Sequence, residues 1–273
     1  MFPVLPKIVA LGEFKPTGAP LFEFEWITRV VSLGQYNLVA SVDPAGRNGI
    51  ALLVHQDLTP SGPPQATVVL DSRILAFRTK IHPDPNIPPV CFVAIYGSSI
   101  AQDRTQLQRA LTPFLHEFAV FLGDFNAITQ FDDAADVTLS YAHKLVWPWL
   151  KGLESTGALT DLMRFAHQET PPKTRCRGHA GQTRLDHIFV TKALFPLLSP
   201  THPTTTPLSH NASPLSDHDL ISIGIHPWTS STAPPLRCQG WGAKQIRKFQ
   251  SLCAAFEPTL QIEAMDPTDF NDG

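Results

Sequence analysis

The chain has 273 residues, 43% of them hydrophobic, with 21 basic and 24 acidic side chains and a formal net charge of −3 at pH 7. That length suits one large globular domain or two modest ones, and the balance of charge excludes nucleic-acid binding driven by overall basicity. No apolar stretch approaches the ~20 residues of a membrane-crossing helix, and the N-terminus lacks the basic start and continuous apolar run of a secretion signal, so no membrane partner and an intracellular location are expected.

Four cysteines, Cys91, Cys176, Cys238 and Cys253, show no spacing suited to zinc or to a disulfide framework, and reduced thiols are expected. Proline, at 26 residues, is about twice as frequent as usual. It gathers at 60–64, 83–89 and 196–214, which are read as loops.

In chain order, residues 8–11 are a short apolar run that ends at Gly12 and Glu13, a strand delivering a carboxylate at its C-terminal end. Residues 21–33 carry Phe22, Trp26, Val30 and Leu33 at helical spacing before Gly34. Strands are predicted over 36–41 and 50–55, joined by Asp43-Pro44-Ala45-Gly46, then over 67–70, 74–79 and 90–96. Residues 105–118 read as a helix bent or split at Pro113. Helices are also predicted over 141–154 and 159–165, and strands over 185–191 and 220–225. Adjacent strands mixed with helices favour packed sheets with helices outside. Beyond His226 a proline-rich linker at 227–235 precedes a basic stretch with Arg237, Lys244, Arg247 and Lys248, then a disordered end. The domain boundary is placed near His226, giving 1–226 and 227–273.

Three polar clusters each lie at the end of an apolar run. In Gly123-Asp124-Phe125-Asn126 the strand breaks at Gly123, and alternation lets Asp124 and Asn126 face one way while Phe125 returns to the core. The second is Arg184-Leu185-Asp186-His187-Ile188, and the third is Ser216-Asp217-His218-Asp219. Each alone is also a common turn or strand-capping composition. Together they supply what phosphodiester hydrolysis needs: carboxylates for a hard cation, a carboxylate to activate water, an imidazole beside an acid and an amide to fix an oxygen.

In that order, Gly-Asp-Phe-Asn, Arg-Leu-Asp-His-Ile and Ser-Asp-His resemble the three C-terminal signature motifs of the endonuclease/exonuclease/phosphatase superfamily. The nearest likeness within it is to the endonuclease domain of LINE-type (non-LTR) retroelements, through residues 48–54, Ile95-Tyr96 and Arg104. The resemblance covers about 8–226. It implies an α/β four-layer sandwich of two central mixed β-sheets flanked by helices, here lacking the family's first strand and helix. An unpaired edge and a gap in the core should result.

Carried over, the resemblance makes Glu13 and Asp217 metal residues. Asp124 orients water, Asn126 holds phosphate, Asp186 pairs with His218, and Tyr96 contacts phosphate. It implies a Mg2+ (or Mn2+) dependent phosphodiester hydrolase, a retroelement DNA endonuclease with DNA as partner, no obligate protein partner, and nuclear if active. Lys173, Arg175, Arg177 and Arg184 cluster near the second motif, where they could track a nucleic-acid backbone. Two alternatives stand: a truncated, catalytically inactive remnant that only binds nucleic acid, and a phosphatase of the same superfamily. Asp132, Asp133 and Asp136 are read as solvated loop residues, His187 as a packing or surface histidine, and Trp147 and Trp149 as core.

Overall fold

Apolar strands that must be covered on both faces set the architecture. The computed structural model describes residues 7–12, 35–44, 49–59, 64–81, 85–134, 138–167, 171–176, 182–206, 209–210, 213–214, 220–227 and 236–242. The elements are β1 (Ile8–Gly12), β2 (Tyr36–Val42), β3 (Gly49–His55), β4 (Ala66–Leu70), β5 (Ile74–Thr79), β6 (Val90–Tyr96), α1 (Ala101–Leu111) and β7 (Ala119–Asp124). They continue with α2 (Leu139–Leu145), α3 (Pro148–Ser155), β8 (Leu159–Asp161), α4 (Leu162–His167), β9 (Arg175–Cys176), β10 (Gln182–Thr183) and β11 (Asp186–Thr191). Last come β12 (Leu198–Thr206), β13 (Ser209–His210), β14 (Ser213–Pro214), β15 (Leu220–Pro227) and β16 (Leu236–Gly242).

Two six-stranded mixed sheets result, ordered β12-β15-β16-β1-β3-β2 and β4-β5-β6-β7-β11-β8. Pairing is parallel for β1–β16 and β6–β7 and antiparallel elsewhere in them. One core lies between the sheets, where Ile8, Ile50 and Leu52 of the first meet Phe92, Leu122 and Ile188 of the second. The opposite residues of the second sheet, among them Val93, Phe121 and Phe189, pack with Leu107 and Leu111 of α1 and with Trp147 and Leu150. This is the expected α/β sandwich. The helix predicted at 21–33 lies outside the described residues, and among those described no helix is long and apolar enough to cross a membrane. Cys91 is a free thiol buried in β6, and burial pushes it up to about 12, so it stays protonated and unreactive.

Several elements differ from the sequence reading. Pro113 ends α1 early, and 112–116 continue as a 3-10 turn. Pro148 divides the predicted 141–154 helix into α2 and α3, because a proline fits a first turn but not an interior. The predicted 159–165 helix is strand β8 followed by α4, whose first turn is capped by Asp161 Oδ1, accepting from the N–H groups of Met163 (3.0 Å) and Arg164 (3.1 Å). The proline-rich 196–214 stretch contains β12. It is an edge strand with a register shift between Thr201 and Thr204, the setting in which Pro200 and Pro203 cost no central hydrogen bond.

The largest difference lies beyond residue 226. Of the stretch expected as linker and tail, residues 236–242 form β16 between β1 and β15. Ile8 to Gly12 pair with Cys238 to Gly242, and Ile221 to Ile225 pair with Gly240 to Leu236. The edge expected beside β1 is therefore paired. The apolar pattern hid this strand because Arg237, Gln239 and two glycines interrupt it.

Since Gln239 pairs with Val9 on one side and Ser222 on the other, Gln239→Pro should remove a ladder bond from a central strand. The thermal midpoint should fall by roughly 5–10 °C in a circular-dichroism melt; an unchanged midpoint would show that this stretch is no part of the folded sheet.

Candidate active site

The second sheet ends in a row of polar residues. Tyr96 closes β6 and is the parallel partner of Asp124, which closes β7. Asp124 in turn lies directly opposite Asp186, which opens β11. Tyr96 belongs to the core between the sheets, as do Leu122 and Ile188, so strand alternation puts Asp124 and Asp186 on that same inter-sheet face. Both carboxylates are buried, at 2% and 0% exposure.

The backbone around this row is tightly constrained. Gly123 has φ of 132°, and a Cβ there would stand 2.2 Å from the Ile95 carbonyl oxygen. At Gly97 a Cβ would stand 1.9 Å from the Phe125 carbonyl oxygen, while the Gly97 N–H donates to Asp124 O at 2.6 Å. The loops after β6 and β7 thus cross at van der Waals limits. Asn126 is left-handed, with φ of 48°, which its short polar side chain tolerates. Its N–H donates to Asp124 Oδ1 (2.7 Å), and its Nδ2 donates to Asp124 Oδ2 (3.0 Å) and Gly97 O (3.3 Å). Expected to hold phosphate, Asn126 spends its amide hydrogens on Asp124 and Gly97, and it fixes the carboxylate's orientation.

Arg104 locks this loop. The residue is 6% exposed, its guanidinium donates to the carbonyl oxygens of Ser98 (2.8 Å), Asn126 (2.8 Å), Val146 (3.1 Å) and Lys144 (3.4 Å), and burial lowers its pKa. On the far side Thr174, 1% exposed, accepts from the N–H groups of Leu185 and Asp186, each at 3.1 Å. At the other end of the row, the Arg73 guanidinium lies 4.5 Å over the Tyr96 ring and donates from Nη1 to Gly97 O at 2.9 Å.

Beneath the second motif is a buried ion network. Arg184, 1% exposed, donates from Nε to Asp133 Oδ1 (2.8 Å) and from Nη1 to Asp161 Oδ2 (2.6 Å). Burial alone would raise the Asp161 pKa, but the Arg184 charge and the His187 hydrogen bond outweigh it and hold the carboxyl well below the usual range. Burial would lower the Arg184 pKa, and Asp161 and Asp133 reverse that. His187 bridges Asp161 Oδ2 (3.3 Å) and Ala127 O (3.0 Å), and Arg164 joins Asp132 and Asp133 at 2.8 and 2.7 Å.

The network corrects two sequence readings. Arg184 is an interior strut and cannot reach a nucleic-acid backbone, and Asp133 is 1% exposed rather than solvated. Arg175 is also buried, at 8% exposure, and Lys173 donates to Asp132 O. Of the predicted site residues, the structure brings Tyr96, Asp124, Asn126 and Asp186 together, whereas Glu13, Arg177, Asp217 and His218 lie outside the described residues. Gly12, which precedes Glu13 in the chain, and Leu220, two residues after His218, sit at the same end of the first sheet, since Gly12 pairs with Gly242 and Ile221 with Gly240. Among the described residues no group of three or more His, Cys, Asp or Glu side chains is placed to hold a metal. Sequence reasoning missed Thr174, Asp161 and Arg73. Of these only Asp161, a capping residue before an apolar helix, left a readable signal.

Residues 6–218 match the family described as "Endonuclease/Exonuclease/phosphatase family". A comparison with curated protein sequences finds no match. Among solved structures, the chain is similar to the 3′ phosphatase NExo from Neisseria bound to product DNA hairpin, at 19% identity and a TM-score of 0.56, covering 81% of this chain and 89% of that one. It is also similar to a humanized D. rerio TDP2 with 14 mutations, at 16% identity and a TM-score of 0.52, and to D. rerio TDP2 complexed with single strand DNA product, at 16% and 0.50. Each TDP2 comparison covers 78% of this chain and 83% of the other. At these identities the likeness establishes the fold alone. The expected kinship to a LINE-type retroelement endonuclease is thereby corrected: these similar structures are a 3′ phosphatase and TDP2, not that domain.

Replacing Arg184 by Met leaves Asp161 buried without its arginine and Asp133 with Arg164 alone, so urea denaturation should register a loss of about 3–5 kcal/mol. Asp161, depressed when folded, contributes stability that is fully present above its unfolded pKa near 3.9 and is lost as pH falls through the lower folded value. Acid titration of the Asp161→Asn variant should lack that low-pH component.

Proposed function

This chain belongs to the endonuclease/exonuclease/phosphatase family, and from that premise we propose that it is a metal-dependent phosphatase that removes phosphate from nucleic-acid ends. The observation that carries the reading is the row Tyr96–Asp124–Asp186 on adjacent strands, with Asp124 gripped at both oxygens by Asn126. A carboxylate held in one rotamer at a strand end is suited to orient and deprotonate a water for attack on phosphorus. In this reading Tyr96 contacts the phosphate, Asp186 supports His218, and Asn126 acts through Asp124. The choice of phosphatase over endonuclease draws on the similar structures, one a 3′ phosphatase with product DNA and one holding a single strand DNA product.

The donor set favours a hard cation. Asp124 and Asp186 offer only carboxylate oxygens, opposite one another across two strands, and magnesium takes oxygen ligands. Glu13 and Asp217 are the proposed holders beside this pair, and the cation would neutralise charge on the phosphate when bound.

Wild-type protein should release inorganic phosphate from a 3′-phosphorylated oligonucleotide with magnesium and stop when EDTA is added. Asp124→Ala should lower kcat by about 10²–10⁴-fold, and Asn126→Ala by about 10–100-fold as a positioning residue. Nicking of supercoiled plasmid without phosphate release would instead favour an endonuclease, and the absence of both reactions in the wild type would overturn the proposal.

A further inference from the structure

A cleft of about 340 Å³ opens beside the polar row, between the β4–β5 turn and α1, lined by Asp71, Ser72, Arg73, Asp103, Gln106 and Leu107 with Leu70 behind. Arg73 is the wall it shares with the site. Its carbonyl oxygen accepts from the Tyr96 N–H at 2.9 Å, so it flanks Tyr96 as Tyr96 flanks Asp124. With neighbouring strands about 4.8 Å apart, Arg73 stands roughly 10 Å from Asp124 along the row.

We propose that this cleft is a subsite for the nucleobase next to the phosphate being released, stacked on the Arg73 guanidinium. The inference rests on the phosphatase reading above and names the part of the substrate that this cleft selects. Arg73 is fixed as a plane: the Tyr96 ring backs it at 4.5 Å, and Gly97 O holds Nη1. Bases stack on such planes irrespective of sequence. The charge of the rim decides between a base and a second phosphate. Asp71 and Asp103 outnumber Arg73, which repels an anion, and their carboxylates accept from the exocyclic amines of adenine or cytosine. Asp103 is anchored by the Ser98 hydroxyl at 2.8 Å, while Asp71 and Gln106 are exposed and adjustable.

The test uses the full chain and two forms of a short 3′-phosphorylated single strand, one with its terminal base and one abasic there. In the wild type, removal of the base should lower kcat/KM at least tenfold. Gln106→Trp, which fills the cleft from an exposed position, should bring that ratio near one. Arg73→Lys, which keeps the charge but removes the plane, should do the same. Binding is read independently with 2-aminopurine as the terminal base: its fluorescence should be quenched by the wild type and restored in both variants. A ratio of one in the wild type, or quenching unchanged by both variants, overturns the subsite. Quenching lost in the variants, with no turnover by the wild type, overturns the phosphatase reading and leaves the subsite standing.

Discussion

The guanidinium of Arg184, buried between Asp133 and Asp161, ties together three parts of the chain that the sequence keeps far apart: the loop after β7, the end of β8 and the entry to β11. Taking these charges out of water is costly, and it is offset only while all of them stay in place. Through His187 and the Ala127 carbonyl the same network reaches the residue after Asn126. The polar row therefore rests on a rigid electrostatic base, which pins the end of the β7–β11 pair at which Asp124 and Asp186 face each other.

A second constraint is steric. Gly97 lets the loops after β6 and β7, and Gly123 lets the ends of those two strands, approach to distances that any side chain would forbid. Arg104 then draws four carbonyl oxygens around one cation. Pinned by charge below and backbone contact above, the carboxylate of Asp124 has little freedom to turn. The restriction of its rotamer by Asn126 is the kind of preorganisation on which water activation depends.

Much of this was legible in the sequence. The strand series from β1 to β7 and the placing of Asp124 and Asp186 at strand ends follow from apolar runs that end in polar clusters, because strand period and burial leave few other arrangements. What stayed hidden is non-local. Arg184 looks the same in a sequence whether it faces phosphate or a pair of buried acids, and only the fold brings Asp161 to it. Asn126 reads as a phosphate donor until its amide is seen to be committed to Asp124 and Gly97. Thr174 and Arg73 carry no pattern at all. β16 escaped because Gly240, Gly242 and Arg237 break its apolar run, and its place in the sheet is dictated by the two strands that need it.

The position of β16 has a consequence for how the chain assembles. Ile8 and Cys238 are register partners, so the first sheet closes through one of the longest sequence separations available to the chain. On a ribosome, β1 and β15 would wait with exposed hydrogen-bonding edges until residue 242 had emerged. Topologies that depend on such distant pairings form slowly and remain open to mispairing in the interval. A polypeptide built this way has its greatest exposure to aggregation late in synthesis, when nearly every other strand is already in hand.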